Sequence, residues 1–136
     1  MRKGLFQMGL DNGVIVRGVK RKDLPRFIKY PFEKDYNDGV EVCYWRKCWG
    51  LRNWFLRTAF PNRPADEWEF KCGVKEITYL WRIVIHYLEN PEDWENSIWD
   101  FDEIKSSLKE QKRNLFWLRI WMKLHPDVEV IFYDSY

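Results

Sequence analysis

Glycine, cysteine and histidine are scarce in this 136-residue chain, at seven, three and two residues, and each shortage removes a class of chemistry. The glycines are scattered, with no GxxxxGK or GxGxxG run to lay backbone N–H groups around a phosphate. Cys43, Cys48 and Cys72 are odd in number and lack paired CxxC spacing, which favours reduced thiols over a disulfide framework or a zinc site. His86 has no G-x-S-x-G elbow and no cysteine partner in the sequence to serve as general base. His125 falls in the last turn of an expected helix, where it can meet the free carbonyls. Long apolar runs are missing as well. "LFWLRIWMKL" at 115–124 is broken by Arg119 and Lys123 and is too short to span a bilayer. Arg2 and Lys3 are followed by no continuous apolar core of a signal peptide. These absences point to a protein of a reducing cytoplasm, acting without a membrane, metal or cofactor and without an assembled catalytic constellation.

What the chain has in quantity is aromatic surface and charge. Hydrophobic residues make up 46%, nine of them tryptophan, around a net charge of only +2, enough apolar area for one folded domain spanning 1–136. The charges are segregated. Residues 1 to 30 carry eight basic groups against Asp11 and Asp23, whereas 89 to 103 carry seven acids and no Lys or Arg, a polarity suited to steering a partner. The acidic stretch "ENPEDWENSIWDFDE" lacks the D-x-D-x-D-G spacing of a calcium loop and reads as solvated. A small hydrolase built on Asp100, Asp102 and His86 would require the fold to bring those three groups together.

Periodicity predicts an α+β fold. Asn12-Gly13, within "LFQMGLDNGVIVRGV", signals a tight hairpin between two short strands. A first helix is expected over about Val40 to Thr58, with Tyr44, Cys48, Leu51 and Phe55 as its inner stripe, a second over Val74 to Leu88, and a third from Asp100, an N-cap, to Leu124. "VEVIFYDSY" is a final strand. The expected architecture is therefore a small antiparallel sheet, made by the N-terminal hairpin and the C-terminal strand, packed with about three helices. The first and third helices are greasy over most of their girth, so part of that surface is expected to meet a partner or a second copy of the chain, as in a homodimer.

"EVCYWRKCWGLRNWF", residues 41 to 55, resembles the segment Y-W-R-K-x-x-x-I-H-x-W-F of a family of small bacteriophage proteins with no established activity, which also tend to end in an aromatic, tyrosine- and serine-rich tail like "VIFYDSY". Tyr44, Trp45, Arg46, Lys47, Trp54 and Phe55 fit the pattern, whereas Arg52 stands where the family has histidine, so no histidine chemistry carries over. The resemblance implies a phage accessory protein in the cytoplasm of an infected bacterial cell. Such proteins often bind and inhibit a host protein, a prominent class being inhibitors of defence systems such as CRISPR effectors.

The leading expectation is thus a non-enzymatic, anti-CRISPR-type binding protein whose host target is a nucleic-acid-guided nuclease. Trp45, Arg46, Trp49, Arg52 and Arg57 are the expected contact residues, since Trp and Arg dominate interface hot spots. Glu92, Asp93 and Glu95, in the acidic segment from Glu92 to Glu103, form a second contact surface. The alternative is a nucleic-acid-binding module that uses the basic N-terminal arm and the first helix, with tryptophans stacking on bases.

Overall fold

The computed structural model describes residues 10–32, 39–94 and 99–135. It is an α+β fold of three α-helices on a four-stranded antiparallel sheet. The strands are β1 (Asp11–Arg17), β2 (Gly39–Arg46), β3 (Glu69–Cys72) and β4 (Glu129–Ser135), in the spatial order β2-β1-β4-β3. The helices are α1 (Trp49–Ala59), α2 (Val74–Glu89) and α3 (Phe101–Leu124). The last strand thus lies beside the first, in register from Asp11↔Ser135 to Arg17↔Glu129.

The second and third helices and the last strand form where the periodicity puts them. α3 starts at a reciprocal capping box: Asp100 Oδ1 accepts from Glu103 N at 2.9 Å, and Glu103 Oε2 accepts from Asp100 N at 3.1 Å, relieving two orphan donors of the first turn. Ile104, Leu108, Leu115, Leu118 and Met122 form its inner stripe, buried against the remaining core. At its other end, His125 Nδ1 meets Trp121 O at 2.9 Å, and the imidazole stacks on the Trp121 ring at 4.2 Å. α1 closes the core from the other side, with Phe55 4.6 Å from Phe132 of β4.

Two expectations fail in the N-terminal half. Asn12 and Gly13 make no turn; they lie inside β1, opposite Trp45 and Tyr44 on one side and Asp134 and Tyr133 on the other. Of the half of that hairpin before Asn12, residues 5–9 fall outside the described residues and Asp11 begins β1. The first helix starts nine residues late, because 39–46 is strand β2. Its β-branched and aromatic run favours a pleated, half-buried surface, and Lys47, at φ 56°, turns the chain from strand into helix. Strand β3 had no expectation attached to it.

A bulge in β2 governs which side chains face which way. The register slips between Val14↔Cys43 and Ile15↔Glu41, so Val42 and Cys43 both enter the core, and Glu41 and Tyr44 both point to the opposite face of the sheet. Such an extra residue bends the strand and re-aims its neighbours. The carbonyl of Val42 accepts from the amide of Asn114 on α3 at 2.8 Å, and the same amide reaches Lys29 O. Asn114, at 0% exposure, is therefore the buried polar residue that satisfies the bulge.

Candidate functional site

The helices cover one face of the sheet. Ile15, Ile131 and Tyr133 are buried on the other, apart from the main core. There, a cleft of about 370 Å³ is lined by Asp11, Ile15, Arg17, Phe32, Glu41, Tyr44, Trp68, Glu69, Tyr133 and Ser135. Its chemistry comes from two tyrosine–carboxylate pairs. Tyr133 donates to Glu41 Oε2 at 2.6 Å, and Tyr44 donates to Asp11 Oδ1 at 2.7 Å. Arg17 closes one end, paired with Glu69 at 2.8 Å and Glu129 at 3.4 Å. Phe32 and Trp68 form an apolar rim, 46% and 55% exposed.

Glycine at position 13 makes this arrangement possible. A Cβ there would lie 2.4 Å from Tyr133 Cε2, 2.7 Å from Glu41 Oε2 and 2.7 Å from the Cys43 carbonyl. With no side chain at that point, the Tyr133 ring crosses β1 to reach the carboxylate of Glu41 two strands away. The glycine that looks like a turn residue in sequence is here the floor of a cleft.

Glu41 is the unusual group. It is only 3% exposed, and its Oε1 has no hydrogen-bond partner among the described residues. Burial pushes its carboxyl up to about 7; the Tyr133 hydrogen bond opposes that shift and the charge of Asp11 adds to it. Tyr44 is likewise raised above the usual phenol range, by burial first and then by its bond to Asp11. The cleft therefore holds the Tyr44 hydroxyl neutral and carries one carboxylate that gains or loses a proton near neutrality. An Oε1 lone pair without a donor is a ready acceptor for an N–H group of an incoming ligand.

A second polar cluster sits at the helix side of the same strands. Arg52 of α1 forks onto Asp134, with Nη2–Oδ2 at 2.8 Å and Nε–Oδ1 at 3.1 Å, and Asn12 Nδ2 donates to Asp134 Oδ1 at 2.9 Å. Asp134 is 2% exposed. The cluster ties the start of α1 to β1 and β4 through charge-assisted hydrogen bonds, while Asn12 Oδ1 is buried with no partner among the described residues.

The structure divides the expected contact residues. Trp45 is buried at 1% exposure in the core, because β2 turns it inward opposite Asn12, so it has no surface to offer a partner. Arg52 is held by Asp134, and its guanidinium also lies 5.8 Å from the half-buried Trp49 ring. Arg46 is exposed opposite Asp11 on the cleft side of β2, and Arg57 is exposed on α1. Glu92 and Asp93 are exposed on a short 3-10 turn after α2, while Glu95 lies outside the described residues. Asp93 binds His86 Nε2 at 2.8 Å, and His86 sits edge-on to Trp54 at 5.0 Å, which sets the acidic turn beside α1. His86 is thus engaged with Asp93 while Asp100 caps α3, so no His86–Asp100–Asp102 grouping assembles.

Cys43, Cys48 and Cys72 are buried. Burial pushes Cys72 up to about 12 and raises Cys43 well above the usual thiol range, so neither supplies a thiolate. Among the described residues, no three His, Cys, Asp or Glu side chains gather as a metal site, and no helix is long and apolar enough to cross a membrane. A larger, shallower hollow of about 930 Å³ runs past Arg17, Asp23, Trp121 and His125; its two aromatic side chains are stacked on each other.

Sequence pattern did not single out Asp11, Glu41 and Tyr133, and it put Tyr44 in the inner stripe of a helix, whereas Tyr44 lies half-buried on β2 at the cleft. The one signal was a solitary glutamate in the apolar run V-E-V-C-Y-W, and pairing it with Tyr133 required knowing that the last strand lies beside the first. No family model matches this chain, and neither a curated protein nor a solved structure matches it.

Proposed function

We propose that this chain is a phage-encoded, non-enzymatic binding protein that docks by the cleft face of its sheet onto a basic surface of a host protein and inhibits it. The observation that carries the reading is Glu41: an enclosed carboxylate with an oxygen left without a donor, in a cleft whose other acids are Asp11 and Glu69 and whose rim is aromatic. Arginine or lysine side chains match that chemistry, because their N–H groups would satisfy the oxygen and their stems would pack on Phe32 and Trp68. Arg- and Lys-rich grooves are the common property of proteins that hold nucleic acid. A nucleic-acid-guided nuclease of the CRISPR type is accordingly the host partner this reading favours, met in the cytoplasm of the infected cell. Arg46, exposed opposite Asp11 at the end of β2, borders the docking face as a secondary contact; Arg57, Glu92 and Asp93 lie with the helices on the other face of the sheet and take no part in it.

The test is affinity capture from bacterial lysate with the tagged chain, before and after nuclease treatment. The proposal expects a host protein retained at near-equal stoichiometry after nuclease, and lost when Trp68→Ala and Tyr44→Ala are combined. Retention unchanged by those substitutions would refute the cleft as the docking face.

A further inference from the structure

One face of α3 carries cations that no carboxylate of the described residues pairs with. Lys105, Lys109, Lys112, Arg113, Arg119 and Lys123 fall within about 120° of one another on a helical wheel. Four of them are exposed and the two arginines half-buried. None of the six forms an ion pair with a carboxylate among the described residues. Two acids of α3 lie close to the cations without pairing with them: Asp102, inside the arc three residues before Lys105, and Glu110, off the arc beside Trp117. The pairs 105/109, 109/113 and 119/123 are each four residues apart, a spacing at which like charges on a helix repel. The stripe is locally unfavourable and spans about 27 Å at 1.5 Å per residue.

Aromatic rings border it, and half-buried Phe116 falls within it between Arg113 and Arg119. Arg119 lies 4.3 Å from the Trp81 ring and 5.9 Å from Phe116. On the other flank, Phe27 stacks on Trp117 at 4.8 Å with Arg26 5.0 Å from its ring. The two hydrogen bonds between Asn114 and the backbone of Lys29 fasten that basic loop against the helix, so Arg26 and Lys29 extend the same field.

We infer that this face of α3, with Arg26, Phe27 and Lys29, binds the phosphodiester backbone of a nucleic acid. Cations spaced along about 27 Å match about eight phosphates at 3.4 Å per nucleotide of one strand, and exposed Phe27 offers a base a ring on which to stack. The surface belongs to α3 and the loop before β2, away from the cleft, and it stands independently of the docking reading.

Fluorescence anisotropy tests it, with labelled 20-nucleotide single-stranded DNA, the same sequence as RNA, and a 20-base-pair duplex, the three arms showing which carrier of the phosphates is held. Six contacts predict an affinity that falls about 300-fold on single strands between 50 and 200 mM salt. The triple variant Lys109→Gln, Lys112→Gln, Arg113→Gln should lower the salt slope by about 2 on single strands and about 3 on duplex. Lys105→Gln with Lys123→Gln, at the two ends of the stripe, should lower it by a smaller amount, and thermal unfolding of both variants checks that they fold. Arg57→Gln should leave the slope unchanged. Salt-independent binding, an Arg57→Gln effect as large as that of the folded α3 variants, or binding to phosphatidylserine vesicles with none to any nucleic acid would each overturn the inference.

Discussion

Tyr133 donates its hydroxyl to Glu41 at 2.6 Å across the bare backbone of Gly13. That contact joins β4 to β2 over the strand between them, and it places an ionisable carboxyl inside a cleft. Its consequences can be measured without knowing any partner.

Glu41 makes stability depend on pH. Its carboxyl is raised from 4.5 to about 7 in the folded protein, so between those values the folded state holds a proton that the unfolded state has released. Stability should therefore fall as pH rises from about 4.5 through about 7 and level off above it. At about 1.4 kcal/mol per unit, discounted for water in the open cleft, the cost at pH 8 is on the order of 2 kcal/mol. Glu41→Gln keeps an acceptor for Tyr133 and removes the charge. Urea unfolding at pH 5 and pH 8 should show it gaining on wild type as pH rises. Parallel curves for the two proteins would rule out the buried carboxyl.

Gly13→Ala should disrupt the cleft at its floor. The added methyl meets a ring and a side-chain carboxylate, which can shift, and the Cys43 carbonyl, which is fixed in the ladder. Overpacking of this kind costs about 1 to 3 kcal/mol, a fall in Tm of roughly 3 to 10 °C for a chain of this size. A Tm within 1 °C of wild type would mean that Tyr133 does not cross the strand as described.

Arg52 is expected to act through folding. Asp134 is 1% exposed at its side chain and Arg52 13%, so Arg52→Ala leaves a buried charge with only Asn12 to answer it, at a cost of about 3 kcal/mol. Arg52→Lys, which keeps the charge and loses the fork, should cost less. Calorimetry separates the two. Full stability of Arg52→Ala would return that residue to the list of contact candidates.

Docking in the cleft should itself depend on pH. An ionised Glu41 attracts an arginine or lysine and a protonated one does not, so binding of the host protein should tighten from pH 6 to pH 8, and Glu41→Gln should flatten that dependence. Binding that weakens over the same range would argue against a cationic occupant.

The parts of the fold that were legible in the sequence are those ruled by local physics. α2 and α3 carry clear 3.6-residue stripes, Asp100 and Glu103 form a cap three residues apart, and the β-branched tail reads as a strand. β2 was misread because its bulge shifts the inward positions from 40 and 42 to 43 and 45, which breaks the two-residue alternation that marks a strand. Asn12-Gly13 was misread because its role is long-range: Asn12 binds Asp134 and Tyr133, more than 120 residues away. The cleft was hidden for the same reason, since its four polar groups come from three strands whose adjacency only the fold establishes.

Docking of the cleft face on a host protein is measured by the affinity of the captured protein for wild type and for Trp68→Ala. Trp68 is 55% exposed at the rim, so its removal leaves the core intact, and a tryptophan at the heart of an interface is worth at least about 1.4 kcal/mol, or tenfold in Kd. The account predicts binding at least tenfold weaker for Trp68→Ala with an unchanged Tm. Equal affinity for the two proteins would contradict it.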